Sequence, residues 1–189
     1  MRIALATSLL AASVSPALAQ AAREPFETIA FGVVALSDVN QATFHELWNP
    51  KLGGGLSVAT PFYAGDVSLG FWRHGNTAVG DGASDFTSTY FYAAWEITVR
   101  LPANLSWRGG GLVGSYRMDL TDRERDTSEQ ELGWGFRTGL SYQLGRHWAV
   151  DLHGTYLVVM TSTRIHHHLL GGGISRSFSA PKWLRDFLQ

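Results

Sequence analysis

The sequence contains no cysteine and only two lysines, Lys51 and Lys182. Without cysteine there is no disulfide staple, so a small exported chain has to be held together by something else. Charged residues make up 16% of the chain, well under the usual quarter, and a surface facing water normally uses charge more freely. The formal charge of −1 supplies no basic footprint for nucleic acid. After Val14 no apolar run approaches the roughly 20 residues of a transmembrane helix. Helical membrane spans are thereby excluded, and a closed barrel is the remaining way to cross a bilayer.

What is there begins with "MRIALATSLLAASVSPALAQ". Arg2 gives a short positive start, Ile3 to Val14 an apolar stretch, and Ala17-Leu18-Ala19 a small-residue cleavage site. Residues 1–19 therefore read as an export signal, cut before Gln20, leaving 20–178 as the folded domain and 179–189 as a tail. At 189 residues the chain holds one domain.

The dominant signal is a period of two. In "ELGWGFRTGLSYQLGRHWAVDLHGTYLVVMT", Leu132, Trp134, Phe136, Leu140, Tyr142 and Leu144 alternate with Glu131, Gly133, Gly135, Arg137, Gly139, Ser141 and Gln143. After "GRH" the row resumes with Trp148, Val150, Leu152, Tyr156, Val158 and Met160, opposed by Asp151, His153 and Thr155. Alternation of this kind makes half-apolar β-strands. The same reading predicts eight strands, over 28–36, 51–60, 63–73, 90–101, 105–118, 131–144, 148–161 and 165–178. Their connections alternate in length. "ATPFY", "PAN" and "GRH" are short, while "SDVNQATFHELWNP", "HGNTAVGDGASD" and "DLTDRERDTSEQ" are long. The fold class expected is all-β, an eight-stranded antiparallel up-and-down transmembrane barrel with short turns on one rim and long loops on the other.

The composition of the two faces decides which one looks outward. One row is bulky and apolar, and the other is mostly Gly, Ala and Ser with single charges of both signs. Small residues and paired charges suit the inside of an eight-stranded barrel. Asp66, Glu96, Arg100, Arg137 and Asp151 are therefore expected inside, and Trp95, Ile97, Trp134, Phe136, Leu140, Val150 and Leu152 facing lipid. Trp134→Arg, on the lipid face, is expected to impair membrane assembly, and Gly135→Ser, on the inner face, to be milder. Trp107, Tyr142, Trp148 and Phe178 fall near the short turns or the last strand's end, where interfacial rings belong, and Phe71, Phe91, Trp134 and Tyr156 fall nearer the long loops. In the tail, Trp183, Leu184, Phe187 and Leu188 share a helical face after Pro181, and Trp183 is expected at the inner interface.

These features resemble the small outer-membrane β-barrel proteins of Gram-negative bacteria, the OmpA-type and OmpX-type barrels being the nearest architecture. The resemblance lies in the export signal, the eight alternating strands and the loop asymmetry across nearly all of the mature chain. It implies outer-membrane lipids, lipopolysaccharide and the barrel-assembly machinery as partners, both chain ends in the periplasm, and no enzymatic activity. Such barrels usually end on an aromatic residue of the last strand. Phe178 fits that place, but "SAPKWLRDFLQ" follows it.

The remaining motifs weigh less. His166 and His168 share one face of a strand and His167 takes the other, so "IHHH" cannot converge on one ion and is expected at the outer rim. Asp119, Asp122 and Asp126 lack the glycine and terminal glutamate of a calcium loop. "GGGLS" and "GGGIS" lack the helix and lysine of a phosphate loop. No cofactor or metal is expected. Two other readings remain. One is a lipid-modifying acyltransferase, since outer-membrane palmitoyltransferases are similar barrels with a His in the first external loop and an Asp-Ser pair in the second. Here the counterparts are His45, Asp81, Ser84 and Asp85, with Ser84-Asp85 in reversed order. The other is a soluble lipocalin-like carrier with its apolar row turned inward.

Overall fold

The computed structural model describes residues 25–39, 46–80, 83–121, 127–161 and 164–188. The expected export signal, His45 and Asp81 lie outside these residues. Nine strands follow in order: β1 (Thr28–Asp38), β2 (Trp48–Pro50), β3 (Gly53–Phe62), β4 (Gly65–Ala78), β5 (Asp85–Arg100), β6 (Leu105–Thr121), β7 (Thr127–Gln143), β8 (Trp148–Val159) and β9 (Ile165–Ser179). A short helix, α1 (Lys182–Leu188), closes the chain.

Every pairing is antiparallel, and β1 pairs with both β3 and β9, so the sheet closes on itself. Trp48–Pro50 pairs with Ala78–Asn76, continuing the stave that β3 makes along β4 after a break at Lys51 and Leu52. The barrel thus has eight staves, with β2 and β3 sharing one. Closure pairs the wall on both sides of every stave below the short β2, which itself pairs only with β4, and so keeps the backbone groups of a chain without disulfides satisfied.

The short turns are as expected in place and tighter in detail. β3 runs on through "ATPF" and turns at Tyr63, whose φ is 52°. The turn between β5 and β6 uses left-handed Ala103 (φ 59°) and Asn104 (φ 61°), closed by Leu101 N–H donating to the Leu105 carbonyl at 2.8 Å. The β7–β8 turn uses Gly145 at φ 113°, a conformation natural to glycine.

At the opposite rim the strands outrun the alternation. β4 reaches Ala78 and β5 begins at Asp85, so the expected 74–85 loop shrinks to 79–84. β6 reaches Thr121 and β7 begins at Thr127, which reduces the expected 119–130 loop to 122–126. Here both faces of each strand turn polar, as in His74, Asn76 and Thr77 or Thr87, Ser88 and Thr89. The backbone ladder continues after the hydrophobic period that would reveal it has ended. Asp119 lies on β6 beside Arg117, whose Nε donates to its carboxylate at 2.7 Å. Asp122 and Asp126 lie outside the described residues.

β9 ends one residue past Phe178, and Ala180 is buried, its N–H donating to the Glu27 carbonyl at 2.9 Å. The barrel proper therefore includes Ser179 and Ala180, slightly more than the expected 20–178. Pro181 then opens α1, its carbonyl accepting from Leu184 and Arg185.

Candidate functional site

Inward side chains divide the lumen into two halves. In the half toward the longer loops, Trp72, Tyr90, Tyr92, Tyr116, Leu157 and Leu169 form a buried cluster. The Trp72 ring lies 5.2 Å from Tyr90 and 6.2 Å from Tyr116. A chain of hydrogen bonds runs through the same level. Asp38 Oδ2 meets His167 Nδ1 at 2.7 Å, and His167 Nε2 meets the Tyr116 hydroxyl at 3.0 Å. Tyr116 donates to Ser88 Oγ at 2.6 Å, and Asn76 Nδ2 donates to the same oxygen at 3.0 Å. These five residues tie β1, β9, β6, β5 and β4 together across the bore. The three histidines lie at the longer-loop end of β9, His166 and His168 exposed on one face and His167 turned to the other, where its side chain is fully buried.

The half toward the short turns is polar and partly open. Glu96, Arg137 and Asp151 lie inside, and Asp66 accepts from Thr98 Oγ1 at 2.7 Å. The Arg137 guanidinium sits 4.7 Å above the Tyr92 ring and 4.0 Å from Glu96. Asp151 pairs with Arg108 and accepts from Ser175 Oγ at 2.9 Å. Pairing makes these buried charges tolerable, since an isolated one would cost several kcal/mol. Arg100 continues the same inward phase at the mouth of the bore. It borders an open basin of about 520 Å³ with Thr98, Ser106, Arg146 and Ser177, and it is exposed. The reason is its position at the last residue of β5, where the bore meets solvent.

Sequence reasoning missed Arg108, Trp72 and the Asp38–His167 pair. Arg108 stands beside the Gly109-Gly110-Gly111 run, where alternation has no apolar row to set the phase. Asp38 and His167 are 129 residues apart, and their meeting depends on the β1–β9 closure.

The seven bulky residues assigned to one row all point outward. Trp95, Ile97, Trp134, Phe136, Leu140, Val150 and Leu152 are each more than two-fifths exposed. Trp107, Tyr142, Trp148 and Phe178 share that outer surface near the short turns. Arg176 lies 5.2 Å from the Trp148 ring and 4.8 Å from that of Phe178, and Phe31 meets Phe178 at 5.9 Å. Trp183 and Phe187 on α1 are widely open, at 69% and 80%. The apolar surface runs from Val99 to Phe91 on β5 and from Tyr142 to Leu132 on β7, matching the roughly 9–11 residues a tilted strand needs to cross a bilayer. A soluble carrier would need this row inside, and the structure puts it outside.

Of the acyl-transfer set, Ser84 and Asp85 are described. The Asp85 carboxylate accepts from the Ala78 N–H at 2.8 Å, and the Ser84 backbone carbonyl accepts from Trp48 Nε1 at 3.0 Å.

The sequence profile of the outer membrane protein beta-barrel domain matches residues 4–178. The chain belongs to that family. It is an outer-membrane β-barrel. Among solved structures, Neisserial surface protein A (NspA) aligns with a TM-score of 0.67 at 13% identity, covering 82% of this chain and all of NspA. Ail, the attachment invasion locus protein of Yersinia pestis, solved with the heparin analogue sucrose octasulfate, aligns at 0.53 and 14% identity, over 80% of this chain and 97% of Ail. OprG from Pseudomonas aeruginosa aligns at 0.53 and 13% identity, over 81% and 96%. At these identities the likeness establishes the fold. No curated protein matches the sequence. The match to this barrel family stops at Phe178, so α1 lies beyond it.

Proposed function

We propose that this barrel is a non-enzymatic integral protein of the outer membrane, with a plugged lumen and with its interactions made by the outer wall and the longer loops. The observation that carries the reading is the filled upper bore, where Tyr90, Tyr116, Leu157, Val159 and His167 have no more than 0% exposure. An eight-stranded barrel has an interior just wide enough for side chains, and here large ones occupy it. The open basin below ends in the Glu96, Arg108, Arg137 and Asp151 group beneath Trp72 and Tyr92. It forms a blind cup.

On this reading Trp95, Ile97, Trp134, Phe136, Leu140, Val150 and Leu152 face lipid. Trp107, Tyr142, Trp148, Phe178 and Trp183 lie at the inner headgroup level, both chain ends are periplasmic, and the longer connections face the outside. The short-turn rim supports this direction, because periplasmic turns of such barrels are the short ones. Outer-membrane lipids and lipopolysaccharide are the surroundings of such a wall, and the assembly machinery its route there.

Expression in a Gram-negative host tests the proposal. The protein should fractionate with the outer membrane, and purified protein in planar bilayers should give no steady conductance. A stable open channel would overturn the plugged lumen.

A further inference from the structure

On the outward face, the change from apolar to polar residues falls at the same register on neighbouring staves. Phe71, Phe91, Ser115 and Leu132 form one cross-strand row, and the Phe71 and Phe91 rings are 5.6 Å apart. The next outward row toward the longer loops is Arg73, Thr89, Arg117 and Gln130. Arg73 and Arg117 therefore flank Thr89 from the two staves beside β5. Their Cα atoms stand about 10 Å apart, twice the spacing of neighbouring strands, close to the length of a disaccharide.

A third cation joins them. Lys51, one of the chain's two lysines, lies with its stem over Gly75, where an added Cβ would come 3.6 Å from Lys51 Cδ. Gly75 is the next outward position after Arg73 on β4. All three side chains are exposed, and neither Lys51 nor Arg73 has an ion-pair partner among the described residues. Arg117 gives Nε to Asp119 at 2.7 Å, which fixes its plane and leaves its terminal amino groups to other acceptors.

We propose that Lys51, Arg73 and Arg117, with the Thr89 hydroxyl between them, bind the phosphate groups of a phosphorylated glycolipid in the outer leaflet. The charge is complementary, and guanidinium groups match phosphate oxygens in paired hydrogen bonds. The site lies directly above an apolar row that would take the same lipid's acyl chains, which commits it to a membrane lipid over a soluble anion. This inference rests on the proposed orientation, with the longer loops outside.

The test uses the full chain folded into phosphatidylcholine nanodiscs containing either bis-phosphorylated or dephosphorylated lipid A of the same acyl composition. Lipid retained by the released protein is measured by native mass spectrometry. The expected result is a preference of about tenfold for the phosphorylated form, abolished in the triple variant Lys51→Gln, Arg73→Gln, Arg117→Gln and kept in Arg176→Gln at the other rim. Equal retention of both lipids by the unaltered protein, or an undiminished preference in the triple variant, overturns the site. So does loss of the preference when inorganic phosphate is added at the lipid's own concentration, which would make the ligand free phosphate. If Arg176→Gln alone abolishes the preference, the orientation itself fails. A chain that does not enter the nanodisc contradicts the membrane reading beneath both.

Discussion

His167 Nδ1 and Asp38 Oδ2 stand 2.7 Å apart across the seam where the last strand meets the first, and neither side chain is open to solvent. This contact exists only in the closed barrel, so it reports on closure. His167→Ala would leave the Asp38 carboxylate buried without its imidazole and the Tyr116 hydroxyl short of a partner. We expect a loss of about 1–3 kcal/mol, and more if the pair is charged. Urea unfolding in detergent, followed by tryptophan fluorescence, measures it. Because both residues act in one network, Asp38→Leu combined with His167→Leu should cost less than the two single changes together.

The glycine run of β6 offers a sharper contrast. A Cβ at Gly110 would strike the Trp95 carbonyl and the Glu96 Cα, whereas one at Gly111 comes no closer than 3.9 Å to the Gly135 carbonyl. Gly110→Ala should therefore lose about 1–3 kcal/mol through forced strand separation, while Gly111→Ala should be nearly neutral. Heat-modifiable gel mobility and the unfolding midpoint distinguish them. Gly135→Ser belongs with Gly110, because its Cβ would meet the Tyr156 carbonyl. The sequence ranks Gly135→Ser as milder than Trp134→Arg, and the close approach of β8 gives it a cost of its own.

The eight staves and the identity of the outward face were legible because period-two alternation survives along the whole wall, as in Leu132 to Tyr142. Asp66, Glu96, Arg137 and Asp151 followed from the same phase. Two things were hidden. The upper ends of β4 to β7 carry polar residues on both faces, so they read as loop. The plug depends on which staves become neighbours on closure, and nothing local to Asp38 or His167 announces that.

The wall gives a quantitative prediction. Phe136→Arg places a cation in the middle of the outward apolar surface and should cost roughly 2–4 kcal/mol in phospholipid vesicles. Gln130→Arg, in the polar row above, should cost close to nothing. Equal costs measured by urea unfolding from vesicles would remove the bilayer from that surface.

Orientation is open to proteolysis. Trypsin added to intact cells should cut at Arg123 or Arg125, in the connection between β6 and β7, and spare Arg146 in the β7–β8 turn. Cleavage at Arg146 alone would invert the barrel.

Truncation separates the helix from the barrel. A chain ending at Ala180 keeps the Ser179–Thr28 pairing and the Ala180 bond to Glu27. It should fold with unchanged heat-modifiability, while Trp183 and Phe187, half or more exposed on α1, add binding to the inner interface. Failure of this truncated chain to fold would make α1 part of the barrel's structure.

The central claim, that the alternating row faces lipid and its neighbours face a filled lumen, is tested most directly by a spin-label scan. The chain has no cysteine, so single cysteines placed in turn from Leu132 to Tyr142 and labelled with a nitroxide report each position alone. In bilayers, the accessibility to oxygen, which concentrates in lipid, should oscillate with a period of two and peak at 132, 134, 136, 138, 140 and 142. Peaks at the odd positions, or a flat profile, would contradict it.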